Sequence, residues 1–351
     1  MKEIKISANE LVTSLLAIAA DENVCILDSA GTTHLGSHLL IAGVRPVEVH
    51  EVTDDDPSVI LDLLDRTLGK RGRAAMLTLS YDFGKKLHFG PVGVQGKNSI
   101  TEPDIFLAVF DTLIVHDYNS GATFLTGDPK TFENIEKLIL AKSHEETAPI
   151  FPSPQISSDF SREEYLAAVE EIREQIRRGH TYQTNLTQQF RLQLSPRQTP
   201  ADIFKNLRSE HPAPFGAFLR RRDSTVVSAS PERFFKITEL SNERIITASP
   251  VKGTRPRGMI PEADRLLRLE LFESEKDRAE NVMIVDLMRN DLGRVCEFGS
   301  VIIEKLCEIE EHPTLLHLVS TIEGRLRKDV RSSEIVRALF PCGSITGAPK
   351  L

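Results

Sequence analysis

Strand-like and helix-like stretches are mixed along this chain without a regular βαβ repeat, and that irregularity favours an α+β fold over a doubly wound parallel sheet. A length of 351 residues suits one large domain or about two ordinary ones. The helical signal is plainest after Ser161, where Ser161 and Glu164 make a capping-box pair. Leu166, Val169, Ile172 and Ile176 follow at helical spacing, and Gly179 closes the run. A second long helix is expected from about Ala263 to Leu292. Tyr182 to Leu192, Val226 to Ile237 and Glu243 to Ala248 read as strands, and the clearest hairpin runs from Phe106 to Phe124 through a turn at Asn119, Ser120 and Gly121.

Three prolines and three serines between Thr147 and Asp159 mark a linker or crossing loop. The expected division is therefore 1–145, a connection at 146–160, and 161–351. The 43 Lys+Arg against 51 Asp+Glu give a net charge of -8 with the signs intermixed, which argues against nucleic acid as a partner. Cys25, Cys296, Cys307 and Cys342 are isolated, without metal-ligand spacing, and read as reduced thiols without a chemical role. The apolar run from Leu15 to Ala20 is too short for a signal core, and no stretch reaches the ~20 apolar residues of a membrane helix. No membrane is expected, and the cytoplasm is the expected location.

Several segments carry candidate chemistry. Lys252, in Ser249-Pro250-Val251-Lys252-Gly253-Thr254, sits between a strand and a glycine turn. It reads either as a surface loop lysine or as a nucleophile. With an ordinary pKa of about 10.4, the second role requires desolvation or a neighbouring cation, which Arg255 and Arg257 are close enough to supply. Glu232, in Ser230-Pro231-Glu232-Arg233-Phe234, reads at the start of a strand-like run either as an ion-pair partner of Arg233 or as a general acid shielded by Phe234 and Phe235.

Glu280 shares a helical face with Met283, Ile284 and Leu287, so an inward apolar stripe carries this carboxylate with it, and Asp277 lies one turn earlier. Two carboxylates in one cavity call for a cation, with Mg²⁺ the natural oxygen-liganded candidate. The alternative is an exposed acidic face paired with Lys276 and Arg278. Gly343-Ser344-Ile345-Thr346-Gly347-Ala348-Pro349-Lys350 is no Walker loop, because Ala348 and Pro349 separate the lysine from the second glycine. It reads as a loop entering a helix whose free N–H groups can meet an anion such as a carboxylate. His317, in Leu316-His317-Leu318-Val319-Ser320, alternates with apolar neighbours as a strand residue does.

Taken together, Thr181 to Leu186, Ser230 to Phe234, Pro250 to Thr254, Asp277 to Val295, Leu316 to Ser320 and Gly343 to Lys350 resemble the chorismate-utilising enzymes. That group contains anthranilate, isochorismate, salicylate and aminodeoxychorismate synthases. Lys252 stands where anthranilate synthases generally have alanine and aminodeoxychorismate synthases have lysine, and Pro212-Ala213-Pro214-Phe215 also resembles the latter. The resemblance implies a large α+β body with two stacked antiparallel sheets and flanking helices. It implies amination of chorismate to 4-amino-4-deoxychorismate, towards 4-aminobenzoate and folate.

The implied roles are Lys252 as the nucleophile at C2 and Glu232 assisting loss of the 4-hydroxyl. Glu280 would hold Mg²⁺ with Asp277 nearby, and Thr254, His317, Thr346, Gly347 and Ala348 would face substrate. Ammonia is expected from a separate glutamine amidotransferase subunit, since no cysteine here has a nucleophile-elbow setting. The family's N-terminal part holds an amino-acid pocket, occupied by tryptophan in some members. Ile26-Leu27-Asp28-Ser29 falls in that region, with Asp-Ser in place of the Glu-Ser of feedback-inhibited anthranilate synthases. Family members continue past the Gly343–Lys350 motif into further strands and a second Mg²⁺ glutamate, so the chain is expected to be C-terminally incomplete, with weakened metal and chorismate binding. An anthranilate or isochorismate-type synthase, or a truncated non-catalytic homologue, are the competing readings.

Overall fold

The computed structural model describes residues 1–32, 34–53, 56–70, 72–90, 102–141, 155–312 and 315–350. The larger sheets are antiparallel and the helices are interspersed among them, so the architecture is α+β as expected. The chain divides into two units. One comprises Met1–Lys86, Pro91–Gln155 and Leu192–Pro231, the other Leu87–Gly90, Ile156–Arg191 and Glu232–Leu351. The sequential division expected from the proline-rich stretch differs, because Leu192–Pro231 returns to the first unit. Strand Phe215–Arg220 hydrogen-bonds to Val24–Asp28 in the register Gly216↔Asp28 to Leu219↔Cys25, a long-range pairing that local composition does not signal. Most of the expected connection lies outside the described residues, which resume at 155.

In the first unit a seven-stranded sheet runs in the order Lys2–Ile4, Ala122–Gly127, Thr112–Asp117, Leu39–Val44, Val24–Asp28, Phe215–Arg220, Thr225–Ser230. Residues of helices Ala8–Ile18, Phe132–Ala141 and Pro200–Glu210 pack on one side of it. On the other, Cys25, Ala217 and Leu219 meet Met76, Phe106, Ala108 and Phe110 of a three-stranded sheet. The middle strand of that smaller sheet, Ile105–Phe110, is apolar and buried at every position, as a strand covered on both faces must be. The expected turn at Asn119–Gly121 joins Thr112–Asp117 to Ala122–Gly127, with Asp117 accepting from the Asn119 N–H at 2.8 Å. Phe106, however, belongs to the three-stranded sheet and not to that hairpin.

In the second unit the strand Leu315–Arg325 is central. Ile302–Glu311 lines one edge of it, while Glu243–Ala248 and Val251–Pro256 share the other. Ile246, Ala248 and Ile322 of this sheet pack against Ile284, Val285, Met288 and Leu292 of helix Glu275–Gly293, the burial of each Ile, Val, Met or Leu side chain contributing roughly 1.5–3 kcal/mol. The expected helix 263–292 is two helices, Pro261–Glu273 and Glu275–Gly293. Ser274 takes an extended backbone at φ -63°, ψ 101°, and its Oγ caps the second helix at the Asp277 N–H, 3.2 Å away. Val226 to Ile237 is also two strands, Thr225–Ser230 and Lys236–Leu240, parted at Pro231, which cannot donate to a ladder. Tyr182 to Leu192 contributes only Gln183–Thr184 and Phe190–Leu192. The Ser161 capping box forms and starts helix Arg162–Arg177, yet Leu166 and Ile176 stay 48% and 41% exposed.

Candidate active site

Every residue the sequence singled out for chemistry lies in the second unit. Strand Val251–Pro256 pairs with Leu315–Arg325 through Val251↔Val319 and Thr254↔His317, and the register shifts between those two pairs. Lys252 and Gly253 occupy the shift, a bulge that re-aims the lysine side chain. Gly253 has φ +82°, and a Cβ there would stand 2.9 Å from Asp277 Cβ and 3.0 Å from Leu271 Cδ1. Glycine therefore allows both the bulge and the close seating of helix Glu275–Gly293 on the strand. Across the ladder, Thr254 Oγ1 and His317 Nδ1 are 2.9 Å apart, which fixes the imidazole, itself 8% exposed, in one orientation.

Lys252 is half-buried, and its Nζ donates to the main-chain oxygen of Ser344 at 2.8 Å. Ser344 belongs to the short helical turn Gly343–Thr346, followed by the two-residue strand Gly347–Ala348. That strand pairs with Gln183–Thr184, so close that a Cβ on Gly347 would lie 2.4 Å from Gln183 O. Asn185 Nδ2 reaches the same Ser344 carbonyl at 3.3 Å, and Thr181 Oγ1 donates to Ala348 O at 2.9 Å. Thr346, Gly347 and Ala348 are thus held beside the lysine, with Thr346 Oγ1 donating to Cys342 O at 3.0 Å.

Helix Glu275–Gly293 supplies the acidic groups, but its buried face differs from the expected stripe. Asn281, Ile284, Val285, Met288 and Leu292 are buried, while Met283 and Leu287 are half-buried and Glu280 sits at the border of this face. Glu280 is 36% exposed, with Lys276 Nζ at 3.9 Å. Lys276 is 82% exposed, a weak competitor for the carboxylate, so Glu280 offers hard oxygens that fit a divalent cation. Asp277 is 13% exposed and pairs with Arg255 Nη2 at 3.2 Å, so an arginine already balances its charge. Arg255 also binds Glu270 at 2.8 Å, and Arg257 binds Asp264 at 2.7 Å. Neither arginine is the uncommitted cation that the sequence placed near Lys252.

Glu232 lies between strands Thr225–Ser230 and Lys236–Leu240, not at the start of a strand. Burial pushes the Cys342 thiol up and the Glu232 charge adds to it, which brings that carboxylate near the foot of the Gly343–Ala348 loop. Phe234 and Phe235 pack together with ring centroids 4.8 Å apart and join the core of this unit.

Sequence reasoning missed the polar groups that hold these pieces. Asn281, fully buried, donates from Nδ2 to Leu318 O at 3.2 Å and accepts the Ser320 hydroxyl, which in turn accepts the Cys307 N–H at 2.9 Å. The signal was available, since Asn281 falls in one stripe with Ile284, Val285, Met288 and Leu292, and a lone amide there must find partners. In the first unit, Asp28 accepts from Arg208 Nε at 2.7 Å, Tyr118 OH at 2.7 Å and the Ala30 N–H at 2.8 Å. The cavity beside Asp28, Phe204 and Arg208 measures about 10 Å³, room for one water. All four cysteines are buried and unpaired, and burial pushes Cys25 up to about 12 and Cys296 to about 11. No described helix is long and apolar enough to cross a membrane.

A model of the family described as chorismate binding enzyme matches residues 23–351. The chain is 40% identical over 250 residues to the chloroplastic aminodeoxychorismate synthase of Arabidopsis thaliana, a match covering 69% of this chain and 27% of that protein. It is 37% identical over 283 residues to aminodeoxychorismate synthase component 1 of Klebsiella aerogenes, covering 79% of this chain and 59% of the relative. The chain therefore spans less than two thirds of the length of these relatives. Among solved structures, anthranilate synthase component I from Streptococcus pneumoniae superimposes with a TM-score of 0.73 at 23% identity, over 91% of this chain and 76% of that one. That likeness establishes the fold.

Proposed function

This chain belongs to the chorismate-binding enzyme family, and from that premise we propose that it aminates chorismate to 4-amino-4-deoxychorismate, drawing ammonia from a glutamine amidotransferase subunit. The observation that carries the reading is Lys252. It stands on the strand that pairs with the strand of His317, hydrogen-bonded to the Ser344 carbonyl of the Gly343–Ala348 loop, and relatives named for this activity are 37–40% identical.

The Nζ lone pair of Lys252 forms a bond to C2 of chorismate, the ring double bonds shift, and the C4–O bond breaks. Glu232 gives the departing 4-hydroxyl its proton, so that it leaves as water. Ammonia then adds at C4, the double bonds shift back, the C2–N bond returns its electron pair to Lys252, and the new C4 ammonium returns a proton to the Glu232 carboxylate. Chorismate and ammonia have become 4-amino-4-deoxychorismate and water. The Ser344 carbonyl holds Lys252 Nζ in place before attack. Thr254, through its contact with His317, orients the imidazole towards the ring. Glu280 is the carboxylate we assign to Mg²⁺, with Asp277 the neighbouring acid held by Arg255. When bound, Mg²⁺ would neutralise a carboxylate of the substrate. The isolated, buried thiols are in keeping with a cytoplasmic setting.

The product identifies the reaction. Incubation with chorismate, Mg²⁺ and ammonium salt is expected to yield aminodeoxychorismate by mass and chromatography. Anthranilate or isochorismate as the sole product would reassign the chain within its family.

A further inference from the structure

Lys350 closes the Gly343–Lys350 motif, and the structure turns its side chain inward. Its Nζ lies 2.9 Å from Asp291 Oδ2, 2.7 Å from Leu339 O and 3.4 Å from Ala338 O, and the two charged side chains are only 6% and 7% exposed. Asp291 is in the last turn of helix Glu275–Gly293, and Ala338 and Leu339 end helix Ser332–Leu339. The carbonyls at such a helix end lack intrahelical partners and attract a cation. One ammonium thus joins two helix ends to the residue that follows Pro349.

A buried ion pair is a poor source of stability, since desolvating both charges offsets most of their attraction. Burial indeed raises the Asp291 carboxyl despite the opposing pull of Lys350. What the pair does supply is position. Lys350 stands two residues beyond the segment Gly343–Ala348, whose Ser344 carbonyl receives both Lys252 Nζ and Asn185 Nδ2.

We propose that Lys350 and Asp291 are a positioning pair: their ion pair anchors the Gly343–Ala348 loop to helix Glu275–Gly293 and so keeps the Ser344 carbonyl on Lys252 Nζ and Thr346–Ala348 beside the substrate. The substrate in that statement rests on the proposed amination, whereas the link from the pair to Lys252 is measurable without chorismate. Losing the anchor lets the loop drift, releases Lys252 from its acceptor and loosens chorismate binding, while the reacting groups themselves are retained.

The test is competitive acetylation of lysines, followed by peptide mass spectrometry, on the full chain as wild type, Lys350→Met, Asp291→Asn and the double variant. Lys137, whose side chain is 71% exposed on helix Phe132–Ala141 of the first unit, serves as internal reference. Each single variant leaves one buried charge unpaired and is expected to melt lower, whereas the double variant has none and regains most of the loss. Labelling of Lys252 relative to Lys137 is expected to rise about fivefold in the double variant, and KM for chorismate about tenfold with kcat within about threefold. A double variant that folds with wild-type labelling of Lys252 overturns the proposal, because the pair would then be structural only. Altered labelling in a protein whose wild type makes no aminodeoxychorismate would leave the positioning link standing and reject the functional reading.

Discussion

The Nζ of Lys252 donates a 2.8 Å hydrogen bond to the main-chain oxygen of Ser344, 92 residues further along the chain. The bond joins the bulged strand Val251–Pro256 to the loop Gly343–Ala348, so the proposed nucleophile and the proposed substrate-binding backbone move together. Anything that shifts the strand or the loop should therefore act on the same chemistry.

Gly253→Ala is the strand-side case. The residue has φ +82°, and the added Cβ would meet Asp277 Cβ at 2.9 Å. Backbone strain and the clash together should cost roughly 2–3 kcal/mol, read as a lower urea midpoint, and amination should fall by at least about tenfold. A variant as stable and active as wild type would show that the bulge is not needed.

Asn281→Leu tests the buried amide. It strands the Leu318 carbonyl and the Ser320 hydroxyl in a core position with 0% exposure, so a loss of roughly 2–4 kcal/mol is expected in chemical denaturation. A loss well below about 1 kcal/mol would mean that water or another donor replaces the amide.

These two residues also mark how far the sequence could be read. The capping box at Ser161 and Glu164 and the turn at Asn119–Gly121 rest on neighbours in sequence, and both form as their residues dictate. The break at Ser274 was legible too, since Ser274 and Asp277 carry a helix-start pattern that the continuous apolar periodicity masked. The return of Phe215–Arg220 to the strand Val24–Asp28 was not, because register between distant strands depends on the whole sheet. In the site, the motifs named Lys252, Glu280 and His317 but not their holders. Asn185, Asp291 and Lys350 work through main-chain carbonyls and a buried charge, and which of these lie in reach is decided only by the fold.

Arg208 should prove structural. Asp28 is 1% exposed at its side chain and its cation is Arg208, so Arg208→Met leaves a buried charge unpaired at a cost of roughly 3–5 kcal/mol. The adjoining cavity of about 10 Å³ has no room for an indole, so added tryptophan should leave the melting temperature unchanged. A rise in melting temperature with tryptophan would mean that the Asp28–Arg208 pair opens to admit it.

The pH dependence of stability should carry the mark of His116. Burial holds its imidazole below the ordinary 6.5, outweighing the pull of Asp28 and Asp117, and its Nδ1 meets Thr123 Oγ1 at 2.8 Å. The unfolded chain then binds a proton that the folded one refuses, so this contribution is complete above pH 6.5 and is lost as pH falls through the window beneath it. Urea midpoints measured against pH should fall less steeply below that point in His116→Gln than in wild type. Parallel profiles would rule out His116 as the source.

The most direct test of the account compares wild type with Lys252→Ala, both incubated with chorismate, Mg²⁺ and ammonium salt, with products separated and weighed. Aminodeoxychorismate from the wild type, and its loss or replacement by anthranilate in a folded variant, is the predicted result. Equal aminodeoxychorismate from both proteins would contradict the role given to Lys252, and anthranilate from the wild type would contradict the proposed reaction itself.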